Sequence, residues 1–154
     1  MTDSPGGYLC PRAEAELSEN ILGVALRGVA TSAIDISDGL LGDLGHILER
    51  SNAGAEIELS NIPCDGWLRE QINDSSPAFP AREFVLAGGD DYELCFTAPV
   101  ASDDRVRAAG RQSGVAVTPI GRIRAGTGVQ VLDGNGAPLD LTRIRGFDHF
   151  AVAG

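Results

Sequence analysis

Apolar residues recur in two rhythms along this chain, and each change of rhythm marks a new element. Leu40, Leu41, Leu44, Ile47 and Leu48 return every three or four positions, the spacing of one helix face. Ser37 or Asp38 stands just ahead as a cap, and Gly54 is the expected stop. An earlier helix is predicted from residue 12, with Leu17, Ile21, Leu22, Val24, Ala25 and Val29 mainly on one face. Residues 31–36 are short and rich in β-branched side chains, and 55–59 alternate with Ile57 and Leu59 on one side; both predict strands. Residues 61–81 read as loop with a short helix around 67–72, where Trp67 is expected in the core. Residues 83–87 form a short apolar segment that Gly88-Gly89 breaks, and 92–97 read as a buried strand. Residues 103–113 predict a helix started by Ser102, with Asp103 and Asp104 favouring its dipole. Pro119 interrupts a strand over 115–123 and places it near a sheet edge. Residues 129–132 and 138–141 flank Asp133-Gly134-Asn135-Gly136, a hairpin signal.

Strands and helices thus alternate and end in antiparallel hairpins, which predicts an α+β fold: a mixed sheet with helices packed on it. The Gly/Pro/Ser-rich residues 1–11 read as a linker or arm, leaving 12–154 as one domain. A chain of 154 residues buries roughly 70% of its unfolded surface, so its core needs no staples. Cys10, Cys64 and Cys95 are odd in number and scattered, which excludes a disulfide framework or zinc-ligand spacing and points to reduced thiols in the cytoplasm. No apolar run matches a membrane span, and residues 1–16 lack the pattern of a signal peptide.

Charge narrows the partners. The formal net charge is -10, a surface that repels nucleic acid and anionic membranes. It repels a bare phosphate compound too, so a phosphorylated ligand requires a divalent cation between itself and the carboxylates.

Three clusters could carry chemistry. Asp35-Ile36-Ser37-Asp38-Gly39 lies at a strand-to-helix junction, where ligands collect in α/β architectures. Two carboxylates three residues apart can converge on one Mg²⁺, Ser37 can donate to a phosphate oxygen, and Gly39 lets the backbone come close. The plainer alternative is that Ser37 or Asp38 only caps the following helix. Gly88-Gly89-Asp90-Asp91-Tyr92-Glu93 brings acidic groups to a second turn, either for a cation or ligand amine or as solvated turn residues. In Gly146-Phe147-Asp148-His149-Phe150 an aromatic could stack on a cationic ring, or both Phe residues could pin the tail. His46, on the helix after the first cluster, reads as a packed or surface residue rather than a ligand.

In order and spacing these segments resemble thiamine-monophosphate kinases. The matching stretches are Ala33 to Leu40 with Asp43-Leu44 and His46-Ile47, Gly88 to Leu94 with Phe96-Thr97, Ile120-Gly121-Arg122-Ile123, and Gly146 to Phe150. Tyr8-Leu9 and Pro11 resemble the family's interdomain linker. The superfamily includes aminoimidazole ribonucleotide synthetase and selenophosphate synthetase, and the resemblance implies its C-terminal three-layer α/β/α sandwich. It also implies a second, N-terminal nucleotide-binding domain that this chain lacks.

The implied reaction takes ATP and thiamine monophosphate to ADP and thiamine diphosphate. By resemblance Asp35 and Asp38 are Mg²⁺ ligands, Ser37 contacts ATP, and Glu93 and Phe147 contact the substrate. Asp90 and Asp91 serve the same pocket or shape its turn. No general base is expected, and a homodimer of the full-length enzyme would form largely through the absent domain. Two other readings stand beside this one: half of another ATP-using enzyme of the superfamily, and a non-catalytic binding module.

Overall fold

The computed structural model describes residues 6–10, 16–73, 80–89 and 93–144. Its strands are β1 (Gly6–Cys10), β2 (Ser32–Asp35), β3 (Gly54–Glu58), β4 (Leu94–Ala98), β5 (Thr118–Arg124) and β6 (Gly128–Leu132). Its helices are α1 (Glu16–Ala25), α2 (Leu40–Ser51), α3 (Gly66–Asn73), α4 (Ala81–Ala87) and α5 (Asp103–Ser113). The strands form one sheet in the order β2-β4-β1-β5-β3-β6. Every pairing is antiparallel except β3 with β6.

Strand alternation sends side chains to two separate cores. On one face, Cys95, Ala55, Ile57 and Val131 pack with Leu41, Leu44 and Leu48 of α2, Ile72 of α3 and Leu86 of α4. On the other, Tyr8, Leu94, Phe96 and Ala98 pack with Leu22 of α1 and with Val106 and Ala109 of α5. The result is the expected three-layer sandwich around a mixed sheet. Among the described residues the second face is only half covered: toward β3 and β5 it carries Glu56 paired with Arg122 and Arg124, whose side chains are exposed.

Several expectations are corrected. Residues 6–10, read as linker, form β1 in the middle of the sheet, hydrogen-bonded to β4 and β5 on its two flanks. Tyr8 stacks on Phe96 with ring centroids 5.1 Å apart, and its hydroxyl donates to Asp103 at the start of α5. Pro119 lies in an interior strand. It is tolerated because the β3 register stops at Gly121 and the β1 register shifts beside it, leaving Pro119 one paired flank. Residues 81–87 are helical, and Trp67 is exposed on α3 rather than in the core. On α1, Ile21 and Val24 face outward, and Leu26, beyond the helix, joins Leu22 in the core.

Candidate functional site

Helix α2 places the first acidic cluster, and its ends are built differently from the sequence expectation. It stops at Asn52 in the left-handed conformation, whose N–H reaches the Leu48 and Glu49 carbonyls; Gly54 already begins β3. At its start the N-cap is Gly39, and no side chain caps it from ahead. Asp43, in the first turn, ties down the preceding loop instead: its Oδ2 accepts the Ser37 N–H at 2.7 Å and the Asp38 N–H at 2.9 Å, two amides ahead of the N-cap. Asp43 is 4% exposed, and its own N–H bonds to the Gly39 carbonyl.

The second cluster closes on the first through backbone. Strand β2 pairs with β4 from Ser32↔Thr97 to Asp35↔Leu94, and the ladder continues as Ile36 N–H donates to the Glu93 carbonyl at 2.8 Å. Gly39 has φ 97°, and a Cβ there would stand 2.8 Å from Ala87 backbone atoms. A Cβ on Gly89 would stand 2.5 Å from the Ser37 carbonyl oxygen. Only glycine permits this approach, so the 37–39 turn lies directly against 87–89.

Asp35, Ser37 and Asp38 are exposed on this turn and Glu93 is half-buried beside it. Asp35 leaves β2 on the side opposite Ile34, which packs on the α2 core. Among the described residues no ion pair joins Asp35 or Asp38 to an arginine, and no cluster of three or more His, Cys, Asp or Glu has metal-site geometry. Two exposed carboxylates nonetheless suit Mg²⁺, a hard cation that keeps several waters and takes further oxygens from phosphates. Behind the loop, burial first, then the nearby Asp43 and Glu93 carboxylates, push the Cys95 thiol up to about 12. It is an inert packing group, not a nucleophile.

The structure therefore brings the backbone of residues 35–38 and of Glu93 together where β2 and β4 meet the start of α2. Asp90, Asp91 and Phe147 lie outside the described residues. His46 is exposed on α2, away from the buried side that holds Asp43. The residue that sequence reasoning missed is Asp43. Its signal was a carboxylate four positions after the N-cap, which resembles ordinary first-turn dipole charge.

Comparison with known proteins follows the same division. The model of the AIR synthase related protein, C-terminal domain, matches residues 10–134. The thiamine-monophosphate kinase of Haemophilus influenzae is 44% identical over 131 residues, 84% of this chain and 39% of that protein. The crystal structure of thiamine-monophosphate kinase from Stenotrophomonas maltophilia superposes with a TM-score of 0.66 at 31% identity, over 88% of this chain and 52% of that one. AaThiL complexed with AMPPCP and TMP shares the fold at 23% identity and a TM-score of 0.61, over 91% of this chain and 50% of that one. The chain thus spans about half, or less, of the proteins it matches. With a family model covering most of its length and the expected sandwich around the acidic turn, the chain belongs to the AIR synthase related protein, C-terminal domain, family.

Proposed function

We propose that this chain is the C-terminal half of a thiamine-monophosphate kinase, working with Mg²⁺ and ATP in the cytoplasm. The observation that carries the reading is the seating of the Asp35–Asp38 turn against residues 87–89 and the Glu93 carbonyl. Motifs far apart in sequence, both resembling those of the kinases, have their backbones in contact there. The kinase names of the relatives and the AMPPCP and TMP bound in AaThiL support it.

In this reading Asp35 and Asp38 hold Mg²⁺, which when bound neutralises charge between the two anionic substrates. The Ser37 hydroxyl donates to an ATP phosphate oxygen, and Glu93 lines the thiamine monophosphate side. By the same resemblance Phe147 contacts the substrate, and Asp90 and Asp91 serve that pocket or shape its turn. An oxygen of the thiamine monophosphate phosphate attacks the γ-phosphorus. The bond to the β–γ bridging oxygen breaks, and ADP leaves with that electron pair. The acceptor phosphate is largely ionised near neutrality, its second pKa being about 6, so no side chain need remove a proton. Positioning and charge neutralisation carry the rate. The remaining part of the site comes from a further, N-terminal domain, and a homodimer of the full-length enzyme would form largely through it.

The test is to fuse residues 1–154 behind the remaining N-terminal portion of the Haemophilus influenzae relative. Thiamine diphosphate formation from Mg-ATP and thiamine monophosphate is then followed by fluorescence. The fusion should turn over and residues 1–154 alone should not. Asp35→Asn in the fusion should lower the rate by about 100-fold with the unfolding midpoint nearly unchanged. A folded, inactive fusion beside an active parent would overturn the reading, as would full activity of Asp35→Asn.

A further inference from the structure

We infer that Asn135 is a site of spontaneous backbone modification, and that its isoaspartyl product opens a clasp over the outer edge of the sheet. Asparagine loses its amide fastest when glycine follows, because the glycine nitrogen reaches the side-chain carbon with no Cβ in the way. Asn20, Asn52, Asn61 and Asn73 precede isoleucine, alanine or aspartate; Asn135 alone precedes glycine. Residues 134–137 are all exposed at the tip beyond β6, and the Asn135 side-chain amide makes no hydrogen bond among the described residues. Gly136 has φ 78°, and the space a Cβ would fill there is open. One hydrogen bond holds the attacking nitrogen: Gly136 N–H donates to the Asp133 carbonyl at 3.0 Å. On an exposed turn such a bond opens at low cost.

Once released and deprotonated by hydroxide, the Gly136 nitrogen attacks Asn135 Cγ. The N–Cγ bond forms, the Cγ–Nδ2 bond breaks, and the amide group takes a proton from water and leaves as ammonia. Water then opens the five-membered succinimide at either carbonyl. One opening leaves aspartate. The other leaves isoaspartate, whose main chain runs through the former side-chain carbon and is one methylene longer.

That methylene falls inside the clasp. Asp133 Oδ1 accepts the Asn135 N–H at 2.8 Å and the Ala137 N–H at 2.9 Å, and the Asp133 N–H donates to the Ala137 carbonyl at 2.8 Å. These bonds turn the chain back, so that the Leu139 N–H reaches the Val131 carbonyl at 2.8 Å and Pro138 bridges Leu132. Strand β6 ends the sheet order, and this return segment covers part of its free edge. One carboxylate oxygen no longer serves both amides once the spacing between them grows. The uncovered edge is then open to pairing with another chain.

The experiment incubates the unaltered chain in warm, mildly alkaline buffer, folded and in urea, and digests samples with trypsin. Cleavage after Arg124 and Arg143 releases residues 125–143, in which Asn135 is the one asparagine. That peptide should show the mass gain of amide-to-acid conversion and separate by chromatography into aspartyl and isoaspartyl forms. The folded chain should lag the unfolded one by no more than about tenfold, the cost of releasing one hydrogen bond. Asn52, exposed but followed by Ala53, should stay largely intact over the same period. In the isoaspartyl chain the Leu139 amide should exchange its hydrogen faster. Asn135→Asp, which adds the charge without the methylene, should leave that amide protected. A folded chain that lags by more than this overturns the inference, as does Asn52 converting as fast as Asn135. Leu139 staying protected in the isoaspartyl chain, or exchanging as fast in Asn135→Asp, overturns the opening of the clasp by the added methylene.

Discussion

Gly39 shows how much a single residue can determine. Its φ of 97° and ψ of 153° lie in a region essentially reserved for glycine, and a Cβ would stand 2.8 Å from the Ala87 backbone. Gly39→Ala should therefore cost about 2–4 kcal/mol, backbone strain plus overpacking, read as a lower urea midpoint. An unchanged midpoint would mean that the turn yields easily. Cys95 makes a second, chemical prediction. With its pKa pushed up to about 12, the thiol is almost wholly protonated at pH 8 and is enclosed as well. Alkylation mapped by mass spectrometry should reach it only at the rate of global unfolding, while the partly exposed Cys64 is modified earlier. The exposed carboxylates of the turn were legible in sequence, because Asp-x-x-Asp beside Gly at a strand–helix junction is a local pattern. Asp43 was not, because its partners are backbone amides whose direction depends on the folded turn.

Among the elements, β1 departs furthest from its sequence signal. Gly6-Gly7 ahead of Tyr8-Leu9-Cys10 and Pro11 reads as an arm, since the glycines and the proline mask the strand preference of Tyr8. Pairing with β4 and β5, both remote in sequence, makes it one. By contrast α2 and α5 were legible because a helix records its buried face within its own residues. Tyr8 ties β1 to α5 through Asp103, so Tyr8→Phe should cost about 0.5–1.5 kcal/mol near neutrality. Burial first, then the charge of Asp103, raises the Tyr8 pKa above its ordinary value of about 10. The folded state therefore keeps a proton that the unfolded state gives up. That stability is intact below pH 10 and declines as pH rises through the folded value. Tyr8→Phe should make the decline above pH 10 shallower, leaving the part that the raised Cys95 thiol contributes, and an equally steep loss in the variant would assign the whole decline to other groups.

For the molecule as a whole, the -10 charge is the dominant long-range term. It has no lysine, so its twelve Lys/Arg charges are all arginine, several committed to ion pairs such as Arg107–Asp103 and the Glu56 group. Self-repulsion should weaken as salt rises, so the thermal midpoint should increase from 10 to about 150 mM NaCl as the Debye length contracts to about 8 Å. A midpoint falling with salt would show that local pairs outweigh the net charge. The sheet order has another outcome, in the timing of biosynthesis. The Tyr8 hydroxyl and its acceptor on Asp103 are 95 positions apart, and both strands flanking β1 are made after α4. On a ribosome, β1 waits unpartnered while the residues up to β4 and β5 are translated, a delay of several seconds at about 5–20 residues per second. Throughout that interval a tyrosine-bearing stretch is open to passing chaperones or to the wrong edge, and nascent-chain proteolysis should cut it until β4 and β5 have cleared the exit tunnel.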